Sequence, residues 1–221
     1  MPKNKPLERR AYAFDIGAEE GGERGYILTG RPIVYNSRTN IGPFDEIIES
    51  GALNRTDLRD VRFLVNHDTD GIPLARSRRN NFNNTMQFTV DEQGLWLDYV
   101  QLDVENNAEA RALWSAVNRG DISGMSFMFS VEADRWEDLE SDHPVRYITS
   151  IGSVVEVSAV TFPCYEATEI YARDAKAALE SARAALESAR LAAANDPLPE
   201  GRSAELELEK AKIKIIGGTI Q

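Results

Sequence analysis

Between Gly25 and Ala172 the chain alternates short β-like runs of apolar and β-branched residues with turn-forming ones. The runs "YILTGRPIVYN" (Tyr26 to Asn36) and "VRFLVNHD" (Val61 to Asp68) are predicted strands. "TMQFTV" and "LWLDYVQLD" flank "DEQG", a hairpin connection in which Gly94 is free to take a positive φ. "ENNAEARALWSAVNRG" breaks the pattern, because Ala110, Leu113, Trp114 and Val117 fall at helical spacing. An asparagine near Asn106 can cap that helix and Gly120 can end it. Two further long β segments follow, "GMSFMFSV" around Ser126 and "YITSIGSVVEVSAVTF" (Tyr147 to Phe162). From Arg173 the composition shifts to Ala, Glu, Arg and Leu, and "AALESAR" occurs twice in succession, spacing Leu179, Leu186 and Ala193 seven apart. "NDPLPEGRS" (Asn195 to Ser203) stops this helix and reads as an exposed hinge.

Strand alternation also sorts the chemistry-bearing residues by face. Met125, Phe127, Phe129 and Val131 share one face of their strand, leaving Ser126, Met128 and Ser130 on the other. The same count groups Phe63, Val65 and His67, and it groups Glu156 with Val154, Ser158 and Val160. A carboxylate within the β-branched run "VVEVSAV" is costly to bury unpaired, so Glu156 needs a partner. His67 is a natural one, since a carboxylate fixes the imidazole tautomer and leaves the second ring nitrogen to take a proton from a serine hydroxyl. Each of these residues also has an ordinary reading: a satisfied core hydroxyl for Ser126, a surface position for His67, a wet sheet face for Glu156. Ser123, Ser158 and Cys164 are rival nucleophiles, and His143, in the acidic loop "SDHPVRY", reads as structural or exposed.

Composition narrows the chemistry further. The 221 residues include 36 acidic against 25 basic ones, a net charge of −11 that argues against nucleic acid and anionic membrane as partners. No apolar run has the length of a signal peptide h-region after "MPKNKPLERR" or of a membrane span, so the expected location is the cytoplasm. One cysteine excludes an intrachain disulfide, and two histidines leave little for a zinc site, so neither metal nor cofactor is expected.

Five blocks, in order, resemble the tailed-bacteriophage prohead proteases, serine peptidases that mature capsids and are related in fold to the herpesvirus assembly protease. These are "LTGRPIVYNSRT", "FDEIIESGALNRT", "VRFLVNHDTDGIPLAR", "GDISGMSFMFSV" and "VVEVSAVTFPCYEATEI". The resemblance implies an α+β, mostly β fold: a herpesvirus-protease-like β-barrel with flanking helices and a C-terminal helical tail. It divides the chain into an N-terminal arm (1–24), a protease domain (25–172) and a tail (173–221) that is scaffold-like or serves packaging. It implies His67 as base, Ser126 as nucleophile and Glu156 as the orienting acid. The chain departs from the family pattern at Met128, where glycine is common, at Pro73 to Ala75, where Leu-Gly is common, and at Cys164, where alanine is frequent. The implied activity is cleavage of scaffold, or of the scaffolding arm of the major capsid protein, and of the protease itself, inside the immature shell in the host cytoplasm. A homo-oligomer is among the implied assemblies. The competing reading is a non-enzymatic capsid assembly or scaffolding protein built on the same domain.

Overall fold

A computed structural model of the protein describes residues 7–12, 16–161 and 174–195. Eleven strands and two α-helices are present among these residues, in the order β1 (Leu7–Tyr12), β2 (Ile16–Glu20), β3 (Tyr26–Val34), β4 (Thr39–Asn40), β5 (Asp45–Ile48), β6 (Asp60–Val65), β7 (Ala75–Arg78), β8 (Met86–Asp91), β9 (Gly94–Leu102), α1 (Ala108–Asn118), β10 (Gly124–Glu137), β11 (Val145–Val160) and α2 (Asp174–Asn195). They form a seven-stranded sheet, ordered β1-β10-β11-β5-β4 with β6 on β11 and β7 on β6, and a four-stranded sheet ordered β2-β3-β9-β8. The chain is mostly β, as expected, but the described strands form two open sheets and no closed barrel.

One continuous core unites the sheets. Leu28, Ile33, Met86, Leu95, Leu97 and Val100 come from the smaller sheet, and Phe63, Phe127, Phe129, Val154 and Val157 from the larger. Each large side chain buried in this way contributes about 1.5–3 kcal/mol. Helix α1 adds Ala110, Leu113 and Val117, while Trp114 meets Tyr26 edge-on at 5.0 Å. Its cap is Asn107, one residue beyond Asn106; the Asn107 side chain accepts from the Glu109 and Ala110 amides. Gly120 ends the helix at φ +78°. At the β8–β9 turn Gly94 has φ +136°, and a Cβ there would lie 2.0 Å from the Ile33 carbonyl oxygen, so only glycine fits.

Two of the expected alternations fail, for identifiable reasons. Met128 pairs with Glu156 but Phe129 pairs with Val154, so Val155 is an extra residue on β11. This bulge turns Val154 into the core beside Phe129, off the face that carries Glu156 and Ser158. Strand β6 ends at Val65, and Asn66 and His67 both adopt left-handed backbone (φ +50° and +57°). His67 therefore leaves the face of Phe63 and Val65 and joins that of Glu156.

Residues 7–12 and 16–20, inside the expected arm, supply an edge strand to each sheet. The compact unit that holds both sheets runs to Leu186, and within it Ala182 and Leu186 of α2 pack on Phe44 with Trp136 alongside. A second unit begins at Glu187; its described part is the end of α2. The expected hinge beyond Asn195, and Cys164, lie outside the described residues.

Candidate active site

Strand β11 runs parallel to β6 on one side and antiparallel to β10 on the other, so it carries the acid between the histidine turn and the serine strand. The turn after β6 is tightly specified. The Asn66 amide bonds to the Ala159 carbonyl at 2.9 Å, and the Asn66 side chain accepts from the Thr161 amide and donates to the Thr161 hydroxyl. Asp68 then caps the next turn by accepting from the amides of Asp70 and Gly71. Asparagine tolerates left-handed backbone better than any other non-glycine residue, which is why this position holds one.

With that backbone fixed, the His67 ring enters the sheet face and its Nδ1 lies 2.7 Å from Glu156 Oε2. Both side chains are buried. Ser158 donates its hydroxyl proton to Glu156 Oε1 and accepts from the His67 amide at 3.1 Å, joining the acid to the base's own backbone. An ionised carboxylate only accepts, so the pair places the imidazole proton on Nδ1 and leaves the Nε2 lone pair unengaged. That is the state required of a general base.

Ser126 is the register partner of Ser158, and Met128 that of Glu156, so serine and acid lie on adjacent strands on one sheet face. The Ser126 side chain is fully buried, and its hydroxyl donates to the main-chain carbonyl of Arg10 on β1 at 2.7 Å. No hydrogen bond joins Ser126 to His67. The structure thus brings His67 and Glu156 into contact, sets Ser126 beside Ser158, and holds the Ser126 proton on another strand. Of the rivals, Ser123 is exposed just before β10, and the Ser158 proton is committed to Glu156. His143 is exposed and pairs with Asp45 at 2.8 Å.

A second cluster escapes sequence reading. Arg10 donates through Nε and Nη2 to Glu46 at 2.5 and 2.8 Å, and Nη2 also reaches Glu8 at 2.5 Å. Arg146 donates to Glu8 at 2.7 and 3.0 Å, to Glu46 at 3.1 Å and to Asp134 at 2.7 Å. Glu8, Arg10, Glu46 and Arg146 are all buried. Burial alone pushes the Glu8 carboxyl up, but the Arg10 and Arg146 guanidiniums outweigh it and hold the group below the usual carboxylate range. Burial lowers Arg146, yet the Glu8 and Glu46 carboxylates more than reverse this and raise it. The only sequence signal was charge at alternate positions of "LERR", which resembles an exposed basic terminus.

Among the described residues no group of three or more His, Cys, Asp or Glu is arranged to hold a metal ion, and no helix is long and apolar enough to cross a membrane. No curated protein and no solved structure matches the chain. The family model for caudovirus prohead serine proteases matches residues 13–181, which include the histidine turn, the serine strand and the acid. The chain therefore belongs to the caudovirus prohead serine proteases.

Proposed function

We propose that this capsid-maturation protease cleaves scaffold, or the scaffolding arm of the major capsid protein, and itself, with Ser126 as nucleophile, His67 as base and Glu156 as the acid that orients it. The observation that carries the reading is the buried His67–Glu156 pair, set one strand from Ser126 in a serine protease family. In this reading the Ser126 oxygen bonds to the scissile carbonyl carbon as its proton passes to His67 Nε2. The carbon–nitrogen bond then breaks, and His67 returns the proton to the leaving amine. Water, deprotonated by His67, hydrolyses the acyl-serine ester, and the proton goes back to Ser126. Glu156 stabilises the imidazolium in both halves, and Ser158 holds Glu156 in place.

Before the first step the Ser126 hydroxyl must give up the Arg10 carbonyl and direct its proton to His67. The kinship in fold with the herpesvirus protease is carried by the sequence resemblance. The chain from Arg173 acts as a packaging or scaffold-like element, a reading supported by its repeated "AALESAR" and Ala/Glu/Arg-rich composition and not by Leu186, which packs on Phe44, and the site of action is the interior of the immature capsid in the host cell. Co-expression with the major capsid protein and its scaffold tests the proposal. Wild type shortens one or both substrates and Ser126→Ala leaves them full length; shortening that persists in Ser126→Ala refutes it.

A further inference from the structure

Strand β1 has an unusual composition for a sheet edge: Glu8, Arg9 and Arg10 occupy three of its first four positions, yet Glu8 and Arg10 are only 6% and 2% exposed. Their alternate side chains enter one nest. The Arg10 guanidinium is forked on Glu46, 5.7 Å from the centre of the Phe129 ring, and Glu8 is forked on Arg146. Without β1, the nest retains Glu46 and Asp134 against Arg146, one negative charge in excess, which suits an incoming guanidinium. Arg146 would then lack its Glu8 partner, which suits an incoming carboxylate. The backbone is equally specific. From Leu7 opposite Ser130 to Tyr12 opposite Met125, β1 lies antiparallel along β10, and this register delivers the Arg10 carbonyl to the Ser126 hydroxyl.

Strand addition to a sheet edge, a carbonyl at the serine and side chains in a charge-matched nest are together what a peptide substrate of a serine protease requires. We infer that β1 is an internal substrate analogue: it occupies in cis the edge of β10 where a substrate strand binds, and the Glu46–Arg146 nest selects peptides with arginine immediately before the scissile bond and an acidic residue two positions earlier. The inference rests on Ser126 being the nucleophile. Arginine is favoured over lysine because Glu46 takes two donors from one planar fork. The analogue is held uncut, since the serine proton is directed at the carbonyl oxygen and not at His67, and Ser126 is fully buried with β1 in place.

The test uses the full chain carrying Glu8→Gln and Arg10→Gln, which removes one charge of each sign and leaves Glu46, Arg146 and Asp134 mutually paired. Ser126 modification by a small fluorophosphonate is followed by intact mass, alone and with the hexapeptides Leu-Glu-Arg-Arg-Ala-Tyr or Leu-Gln-Arg-Gln-Ala-Tyr. The expected result is labelling about tenfold or more faster than in wild type, slowed again about tenfold by the charged peptide and not by the neutral one. Equal rates in variant and wild type, or equal protection by the two peptides, overturn the inference while a labelled Ser126 keeps its role as nucleophile. A Ser126 that labels in neither chain removes the nucleophile assignment itself. A second measurement uses the same variant, in which β1 no longer fills the nest with charge: it should hydrolyse a coumarin amide ending Glu-Arg-Arg at least about tenfold faster, in kcat/KM, than one ending Gln-Arg-Gln. Equal rates, or hydrolysis of neither while capsid substrate is still cut, overturn it as well.

Discussion

His67 Nδ1 and Glu156 Oε2 lie 2.7 Å apart although 89 residues separate them in the chain, and both are buried where an isolated charge would be costly. The contact is made from both ends: the His67 amide and the Glu156 carboxylate each bond to the Ser158 hydroxyl.

Replacing the acid by its amide tests what the contact does. Glu156→Gln keeps the volume but presents a carboxamide that can donate to Nδ1, which reverses the tautomer that leaves Nε2 basic. Peptidase kcat is expected to fall by about 10³–10⁴, the range seen when a serine triad loses its acid, with KM little changed. An unaltered kcat in steady-state assays would exclude Glu156 as the orienting group.

The left-handed turn makes a second, conformational prediction. Asn66 sits at φ +50°, where a β-branched side chain is strained, and its side chain makes two bonds to Thr161. Asn66→Val is expected to cost about 1–3 kcal/mol, read by denaturant unfolding, and to lower activity by displacing His67. Asn66→Gly relieves the strain and loses only the Thr161 bonds, so its activity should lie between those of Asn66→Val and wild type.

Glu46 is fully buried and joins two guanidiniums, Arg10 and Arg146. Glu46→Ala leaves both short of a carboxylate in a dry site, and an expected loss of about 3–5 kcal/mol follows. A change in unfolding free energy below ~1 kcal/mol, the scale of exposed ion pairs, would mean that the nest is not held together by this residue.

Acid should loosen β1. Glu8 faces Arg10 from its own strand and Arg146 from β11, with Glu46 of β5 and Asp134 of β10 bonded to Arg146. Its carboxyl is held below the usual carboxylate range in the folded chain, so the unfolded chain binds a proton more readily. The stabilisation is therefore fully present above the ordinary glutamate value of about 4.3 and is lost as pH falls below it, through the lowered value. Thermal midpoints of wild type and Glu8→Gln should differ at neutral pH and converge below about pH 4. A gap that stays constant across this window would show that the Glu8 charge does not stabilise the fold.

Strands β3, β6 and β9, apolar runs bounded by turn residues, and the amphipathic α1 were legible in the sequence because their apolar residues face one core. Strands β1 and β5 were not, because their buried positions include Glu8, Arg10 and Glu46, charged groups that become acceptable only beside partners distant in sequence, and β7 was not, because its buried positions are only Ala75 and Ser77. The His67–Glu156 pairing followed from the cost of burying a carboxylate. The faces of His67 and Val154 did not follow from counting, since two left-handed residues and one bulge each shift parity, and neither leaves a period-2 signature. The Arg10 carbonyl on Ser126 depends on strand order and register, which no local pattern encodes.

The most direct measurement is the site of covalent modification when the wild-type chain is treated with a fluorophosphonate and mapped by peptide mass spectrometry, beside His67→Ala. The account predicts one adduct, on Ser126, that fails to form in His67→Ala. An adduct on Ser158 or Cys164, or one on Ser126 that forms as fast without His67, would contradict it.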